Sequence, residues 1–448
     1  MTNLGSTIQA VADALFMPWV IGVLLLAGVW LTLRTGAVQL RRFAEAWRVA
    51  FVRRGSGETG ALTPFQAFMT ALGASIGTGN IAGVATAIVS GGPGALFWIW
   101  VYGFVAMAIK FGEATLGVSF REPRGDTVLS GPMYYLRDGL KSPALAWIFA
   151  FVAAVAALTT TPFTQPNSIA LVVNSVFGIP KVAIGIAVAV LTWLVIIGGI
   201  KTIGRAAEKL SPLKVGLYFV GGLIVILLNA ARIPAVLALV FREALTMQSA
   251  LGFGMFVAMR YGIARGIYAN EAGYGTAAVA YGTAQSTQPV QQGLNAIIEV
   301  FTVSFVTSSI SALTILLTGV AGSGVTSSAA VAAAFNSAIP VVGGWIVAFC
   351  VFLFGYTTLI GWAYYGEQFF EYILGRKVTI PYRWIYCLLI PFGAVSKVAT
   401  VWAWGDLMNA LQVFPNLIGV IGLSGLVAKI AWAGVRSRID RNGGQVLV

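Results

Sequence analysis

The chain of 448 residues is 58% hydrophobic and only 10% charged, and it contains no histidine. Its mean hydropathy of +0.86 is far above that of a soluble domain. The lack of histidine excludes catalysis by histidine and metal ligation by histidine. The net charge of +13 does not indicate nucleic-acid binding, because no dense basic patch with interleaved aromatic residues occurs. Apolar runs of about twenty residues recur along the chain, each long enough to cross a bilayer. We therefore predict an all-α polytopic membrane protein surrounded by lipid.

Basic residues mark the predicted topology. The first apolar run, residues 14–34, has no basic residue before Arg34, which favours a retained helix with its N-terminus outside over a secretory signal. About eleven helices, with the C-terminus cytoplasmic, satisfy the positive-inside rule. The predicted cytoplasmic segments carry Arg34, Arg41, Arg42, Arg48, Arg53 and Arg54, then Arg121, Arg124, Arg137 and Lys141, then Lys201, Arg205 and Lys209, then Arg376, Lys377 and Arg383, and in the tail Arg436, Arg438 and Arg441.

A glycine-rich stretch, Gly73–Asn80, interrupts a membrane-length apolar segment. Each glycine weakens a helix by roughly 1 kcal/mol relative to alanine. Broken helix at membrane depth survives only where it is buried in protein or lines a cavity. Ser75, Thr78 and Asn80 add side-chain oxygens to the loosened backbone, which favours a site for a cation and a small anion. The alternative is a helix-packing face of small residues four apart.

A second interruption lies around Arg265–Gly273, in the segment that runs from 251 to 282. If the N-terminal helix is set aside, the two interrupted helices are the first and sixth of ten. Interrupted helices in corresponding positions of two halves are typical of inverted-repeat transporters with a site near the midplane. We predict one transmembrane transporter domain, with an extra helix over 14–34, a first repeat over 64–230 and a second repeat over 251–432.

Four motifs occur in this order over nearly the whole chain: Gly73–Gly83, Gly91–Trp98, Asn270–Gly273 and Gly361–Glu367. Together they resemble the alanine-or-glycine:cation symporter family. The resemblance implies a leucine-transporter-like fold of five plus five helices with one extra helix. It also implies cotransport of sodium with a small neutral amino acid. Tyr274 departs from the family pattern, in which Met or Leu is common after the third motif.

The first interruption is predicted to bind the substrate carboxylate. The start of the outer half-helix presents unpaired N–H groups, and the helix dipole favours an anion there. Glycine allows the carboxylate to approach the backbone closely. We therefore assign the backbones of Gly77, Thr78 and Gly79 to the carboxylate, with Asn80 offering its side-chain amide. In the alternative, Asn80 only joins the two half-helices.

Two adjacent hydroxyls, Thr357 and Thr358, are candidate sodium ligands on an otherwise apolar helix. The resemblance implies that they lie against the broken helix, where carbonyls of Gly73, Ile76 and Phe354 would complete the shell. Threonines in membrane helices also commonly bond their own i−4 carbonyl, and this is the alternative.

Three further residues are predicted to surround the substrate. Trp362 lies four residues after Thr358, on the same helix face, where it could close over a small side chain. Gln165 belongs to a polar cluster that is costly in lipid unless it faces the interior. It is a candidate partner for the substrate ammonium or carboxylate, or for a neighbouring helix. Phe163 is a candidate pocket wall, with ordinary packing as the alternative.

Charged residues within the predicted spans require partners, because charges at membrane depth are expensive. These residues are Lys110, Glu113, Arg265, Glu271 and Glu299. Our hypothesis is that Glu271 braces the second interruption and pairs with Arg265 or Lys110. The alternative is a direct role for Glu271 in gating or proton coupling.

Together these patterns predict a secondary symporter of the prokaryotic inner membrane that couples sodium entry to uptake of alanine or glycine. Proton coupling and a substrate-gated channel or sensor are the alternatives. An enzyme is not expected, because no metal motif or obvious pair of catalytic acids occurs. The preference between alanine and glycine, the preferred stereoisomer, the stoichiometry and the oligomeric state stay open.

Overall fold

A computed structural model of the protein describes residues 4–52, 60–124, 127–247, 254–286 and 288–443. Nearly all of these residues form helices. The predicted basic residues Arg53 and Arg54 and the predicted start of the second repeat at 251 lie outside the described residues, as do the side chains of Arg436, Arg438 and Arg441.

The first half contains the N-terminal helices and the first interrupted helix. A hairpin of two short antiparallel strands, β1 (Glu122–Arg124) and β2 (Thr127–Leu129), pairs Pro123 with Val128. The helices are α1 (Leu4–Leu15), α2 (Ile21–Arg34), α3 (Val38–Arg41), α4 (Phe43–Val52), α5 (Pro64–Ser75), α6 (Ala82–Gly91), α7 (Ala95–Ser119), α8 (Pro132–Tyr134), α9 (Pro143–Thr159), α10 (Thr161–Phe177), α11 (Lys181–Ile196) and α12 (Gly199–Leu228).

The second half contains the second interrupted helix and a π-helical segment, Thr302–Thr307, in which one turn is widened. Its helices are α13 (Ile233–Leu245), α14 (Met255–Asn270), α15 (Thr276–Gly282), α16 (Pro289–Phe301), α17 (Ser308–Thr318), α18 (Ser327–Ala338), α19 (Val342–Leu374), α20 (Thr379–Val395), α21 (Val398–Gly422) and α22 (Ser424–Gly443). Short 3₁₀ or π turns join them at Phe16–Val20, Thr78–Asn80, Tyr135–Gly139, Ala230–Arg232, Val320–Gly322 and Arg376–Val378.

The apolar helices agree with the predicted number of spans. Among the described residues, seven helical stretches are long and apolar enough to cross a membrane, and two bent pairs raise this number to nine. The shorter apolar helix α11 and the interrupted pair α14–α15 bring the total to eleven. The prediction of an all-α polytopic protein is confirmed, while the boundaries of the two repeats stay a prediction.

The first interrupted helix begins at a capping box and ends at the predicted glycine-rich stretch. The Thr63 side chain accepts a hydrogen bond from the Gln66 backbone N–H, and the Gln66 side chain accepts one from the Thr63 backbone N–H. This reciprocal pairing, with Pro64 in the first turn, fixes where α5 starts. Ile76 leaves the helical conformation, Gly77 is extended, and the chain re-enters helix at an angle of 57°.

The second interruption separates α14 from α15 through left-handed backbone. Glu271, Gly273 and Gly275 have φ angles of 57°, 97° and 81°. Residues with a Cβ rarely adopt such angles, so the two glycines permit this turn at little cost. The isolated bridge between Leu62 and Ala284 joins the chain just before α5 to the chain just after α15. The start of one interrupted helix is therefore tied to the end of the other.

Candidate substrate and cation site

A small cavity lies beside the first interruption. The space open to the centre of a water molecule measures only about 10 Å³. It is lined by Ala74, Ser75, Gly77, Gly79, Thr160, Thr161, Gln165, Tyr268, Glu271, Tyr274, Thr358, Trp362 and Asn409. Five of the residues predicted to bind substrate are among them: Gly77, Gly79, Gln165, Thr358 and Trp362.

The glycines of the interruption let other side chains approach the backbone. A Cβ on Gly79 would lie 2.5 Å from Cδ1 of Tyr268, and one on Gly77 would lie 2.6 Å from Oγ1 of Thr358. Cβ atoms essentially never come this close to other heavy atoms, so a side chain at either position would displace its neighbour. The glycines therefore shape the cavity as well as breaking the helix.

Gln165 contacts the helix interruption directly. Its Oε1 accepts a hydrogen bond of 2.9 Å from the backbone N–H of Thr78, at the start of the outer half-helix. This is one of the donors predicted to bind the substrate carboxylate. The Thr78 side chain is fully buried, and its hydroxyl has no hydrogen-bond partner among the described residues.

Asn80 and Phe163 lie outside the cavity lining. The Asn80 amide donates to the Ser75 carbonyl at 3.1 Å, and its Oδ1 accepts from the Thr307 hydroxyl at 3.0 Å. These bonds match the alternative in which Asn80 joins the half-helices. Phe163 is half-buried. A Cβ on Gly393 of α20 would lie 2.5 Å from the Phe163 Cα. The backbone of α10 therefore packs closely against α20 at this residue, and the role of the Phe163 side chain as a pocket wall stays a prediction.

Thr358 and Trp362 line the cavity from α19, as their spacing predicts. The Thr358 hydroxyl donates to the Ala74 carbonyl at 2.7 Å, and the Gly73 carbonyl lies 3.3 Å away. The Trp362 indole N–H donates to Oε1 of Glu271 at 2.6 Å. The second carboxylate oxygen of Glu271 accepts from the Thr276 hydroxyl at 2.9 Å. A buried carboxylate thus forms part of the cavity wall.

Lys214, which the sequence interpretation missed, occupies the oxygen shell predicted for sodium. Its Nζ donates to the Gly73 carbonyl at 2.9 Å, the Ile76 carbonyl at 2.5 Å and the Thr357 hydroxyl at 2.5 Å. Thr357 also donates to the Leu353 carbonyl, as in the i−4 alternative. The Phe354 ring, rather than its carbonyl, faces the ammonium, with 5.2 Å between Nζ and the ring centroid. The sodium shell stays a prediction.

The missed signal was a lysine inside an apolar helix. Lys214 lies in α12, which also contains Lys201, Arg205 and Lys209. Those three were interpreted as topology markers, and Lys214, which follows them closely, was not singled out among the charges within the predicted spans. The depth of a lysine next to a span boundary cannot be read from hydropathy alone.

The pairing hypothesis for Glu271 is wrong. Arg265 makes a two-pronged ion pair with Asp406, at 3.0 Å and 2.5 Å. Lys110 pairs with Glu299 at 2.5 Å and also donates to the Asn270 carbonyl. Both cations therefore have other carboxylates as partners, and Asp406, 141 residues from Arg265, was not among the charges that we singled out.

Glu113 braces the second interruption by binding its backbone, in addition to the bond between Glu271 and Thr276 that spans it. Its Oε1 accepts from the backbone N–H groups of Gly273 at 2.9 Å and Gly275 at 3.1 Å, and from the Asn416 amide at 2.6 Å. The π-helical segment contacts both interruptions, because the Ser304 hydroxyl accepts from the Asn270 amide at 3.2 Å and Thr307 bonds Asn80.

An interrupted helix beside a buried polar cavity, in a bundle of about eleven apolar spans, defines a secondary transporter of the leucine-transporter-like fold. The comparison with known families agrees. The chain belongs to the sodium:alanine symporter family, whose sequence profile matches residues 1–436. It is therefore an amino-acid symporter and not an enzyme, and the family prediction is confirmed.

Relatives of this chain are named for different substrates and coupling ions. The chain is 37% identical over 433 residues to the sodium/alanine symporter AgcS of Methanococcus maripaludis, covering 94% of this chain and 95% of that protein. It is 33% identical to a probable sodium/glutamine symporter of Bacillus subtilis, covering 93% and 87% of the two chains. A putative sodium/proton-dependent alanine carrier of that species is also 33% identical, covering 90% and 87%.

Solved structures agree on the fold alone. The structure of MhsT in complex with L-phenylalanine has a TM-score of 0.58 at 13% identity, covering 84% of this chain and 99% of that one. A manganese transporter of Eremococcus coleocola has a TM-score of 0.55 at 15% identity, covering 88% and 93%. These identities are too low to transfer a substrate or an ion.

Proposed function

We propose that this protein imports alanine or glycine together with sodium, by alternating access around the cavity beside the first interruption. The observation that carries the proposal is the small size of this cavity at the start of a buried half-helix. Such a site offers backbone N–H groups to an anion and excludes large side chains. We further propose the inner membrane as its location, with the N-terminus outside and the C-terminus in the cytoplasm.

The polar groups of the cavity suit both ends of an amino acid. Gln165 is neutral, so a substrate carboxylate, which makes stronger charge-assisted bonds, can replace its oxygen at the Thr78 N–H. The Glu271 carboxylate lines the same cavity and is 4% exposed. A buried carboxylate attracts the substrate ammonium strongly, because the surroundings screen charge poorly.

Aromatic side chains limit the size of the substrate. Tyr268, Tyr274 and Trp362 line the cavity, and the Tyr268 ring lies against Gly79. A tightly packed wall resists the insertion of additional carbon atoms, which typically costs 1–3 kcal/mol. This favours glycine or alanine over larger amino acids, and it agrees with the substrate named for the Methanococcus relative.

Sodium is the proposed coupling ion because the family and the relatives named above carry it in their names. Binding of the ion and of the substrate in one conformation would give positive linkage between the two sites. Two relatives are named as sodium/proton-dependent carriers, so a proton gradient belongs in the test as a separate arm.

Uptake of radiolabelled alanine into proteoliposomes tests the proposal. We expect accumulation above the external concentration with an inward sodium gradient, and none with a proton gradient alone. Accumulation driven by protons alone would overturn sodium coupling. Equilibration without accumulation under either gradient would indicate a channel or a sensor.

The variant Trp362→Phe tests the cavity itself. It removes the indole N–H that bonds Glu271 and leaves a buried carboxylate oxygen without this donor, which costs about 1–3 kcal/mol. We expect the KM for alanine to rise at least about fivefold. The matched control is Trp345→Phe on the same helix, because Trp345 is 54% exposed on the outer surface. Equal uptake by the two variants would place the substrate elsewhere.

A further inference from the structure

Lys214 fills a position that the first interruption and α19 build for a positive charge. An ammonium group has three N–H donors. At Lys214 they meet the Gly73 carbonyl, the Ile76 carbonyl and the Thr357 hydroxyl, at distances of 2.5–2.9 Å. The Phe354 ring lies 5.2 Å from Nζ, within the range of a cation–π interaction. Every hydrogen-bonding position of the ammonium is therefore used.

The packing of α12 against α5 brings the lysine to this position. Ser211, one turn before Lys214, donates to the Met69 carbonyl of α5 at 2.9 Å. A Cβ on Gly73 would lie only 2.7 Å from the Ser211 Oγ. The two helices can therefore approach this closely only because residue 73 is glycine. Lys214 itself is 0% exposed. A side chain buried this deeply reaches no solvent, and its charge depends on the oxygens around it.

These oxygens serve one cation at a time. Carbonyls at the end of a broken helix are the groups that bind sodium or protonated groups in transporters of this architecture. Gly73, Ile76 and Thr357 belong to the shell predicted for sodium, and all three bond the lysine. A sodium ion added to the same atoms would lie within a few ångströms of the ammonium, where like charges in a buried setting repel strongly.

We propose that the Lys214 ammonium is the resident cation of this shell, so that the shell binds no sodium during transport. The tethered charge neutralises the carbonyl end of α5 and joins α5, α12 and α19, which a free ion would otherwise do. The co-transported sodium binds elsewhere. This proposal takes one assumption from the proposed function, namely that sodium is the coupling ion.

Variants at Lys214 test whether the side chain excludes sodium. Lys214→Ala removes both the charge and the aliphatic chain of the lysine, and should open the shell to sodium. Lys214→Met keeps a long side chain without the charge, and should leave the shell blocked. Lys209→Ala, at an exposed lysine on the same helix, is the matched control. The readout is the number of ²²Na⁺ ions bound per purified protein, checked for folding by size-exclusion chromatography.

We expect Lys214→Ala to bind one more sodium ion per protein than the wild type, Lys214→Met and Lys209→Ala. Adding Thr357→Val to Lys214→Ala should remove the additional ion, because the hydroxyl is one of its ligands. If the wild type and Lys214→Ala bind the same number of sodium ions per protein, the proposal is overturned.

Thr357→Val in the wild-type background keeps the proposal testable even if the Lys214 variants do not fold. If the shell holds lysine, the sodium concentration for half-maximal binding should change less than twofold. A tenfold or larger increase would show that sodium uses the shell and would overturn the proposal. These binding results are independent of transport, whereas failure of sodium-driven alanine accumulation in the wild type would overturn the proposed function instead.

Discussion

The two interrupted helices resemble each other in backbone and differ in the groups that balance their ends. At both, a buried lysine meets carbonyls at the end of the first half-helix: Lys214 at Gly73 and Ile76, and Lys110 at Asn270. At the second interruption a carboxylate, Glu113, binds the N–H groups that follow. At the first, the Thr78 N–H meets the neutral amide of Gln165.

The difference supports the proposal that substrate binds at only one of them. Helix ends favour a cation at the carbonyl end and an anion at the N–H end. At the second interruption, protein side chains supply both the cation and the anion, so no charged ligand is needed there. The first has its cation but has no carboxylate on its Thr78 donor, so a substrate carboxylate can complete it. We therefore interpret the first interruption as the proposed binding site and the second as a structural brace.

The largest expected effect is at the brace, with Glu113→Leu. It removes the acceptor of two backbone N–H groups and of the Asn416 amide. A buried donor without a partner costs about 1–3 kcal/mol, so we expect the free energy of unfolding to fall by at least about 3 kcal/mol. Thermal unfolding of the purified protein in detergent measures this loss. Glu113→Gln keeps an acceptor oxygen and should be less harmful, and equal stability of Glu113→Leu and wild type would contradict the brace.

Gln165→Glu would give the first interruption the carboxylate that the second already has. We expect the KM for alanine to rise at least tenfold, about 1.4 kcal/mol, because the substrate carboxylate then meets an occupied donor and a like charge. The unfolding temperature should not fall, since the Thr78 N–H keeps an acceptor. Gln291→Glu at the periphery is the control, and an unchanged KM in Gln165→Glu would show that the carboxylate binds elsewhere.

The smallest expected effect is outside the membrane-spanning segments, where Arg137 and Asp138 form a solvent-exposed pair. The hydrogen bond from Arg137 holds the pKa of the Asp138 carboxyl below its usual value. A lowered pKa means that this pair stabilises the fold above about pH 4, and that its contribution disappears as the pH falls further. Because Asp138 is 41% exposed, we expect Asp138→Asn to cost less than about 0.5 kcal/mol at pH 7. Thermal unfolding at pH 7 and pH 3 measures the difference, and a loss as large as that of Glu113→Leu would contradict the contrast between buried and exposed charges.

The backbone of the site could be predicted from the sequence because glycines mark it. Both interruptions lie where glycines collect inside apolar segments, around Gly77 and Gly273. The four-residue spacing of Thr358 and Trp362 correctly placed both on the cavity face of α19. Local signals of this kind depend only on neighbouring residues, so one sequence is enough to read them.

The charge partners could not be predicted, because they depend on contacts between distant segments. Arg265 and Asp406 are 141 residues apart, and Lys214 and Ile76 are 138 apart. The sequence showed that the membrane charges need partners, but several pairings satisfied that need equally well. Glu113 and Glu271 illustrate this: both lie near the second interruption, and only the packing of α7 against α14 and α15 shows which one binds its backbone.

The widened turn at Thr302–Thr307 makes the number of residues in this segment matter more than their exact identity. Ser304 bonds Asn270 and Thr307 bonds Asn80, so one short segment contacts both interruptions. A π turn holds one residue more than the α-helical turn that it replaces. Deleting a residue here would restore a regular helix while the turns on either side keep their register, and the segment would lose the extra residue that sets the spacing of Ser304 and Thr307. Conservative replacements should therefore be tolerated in this segment far better than a one-residue deletion.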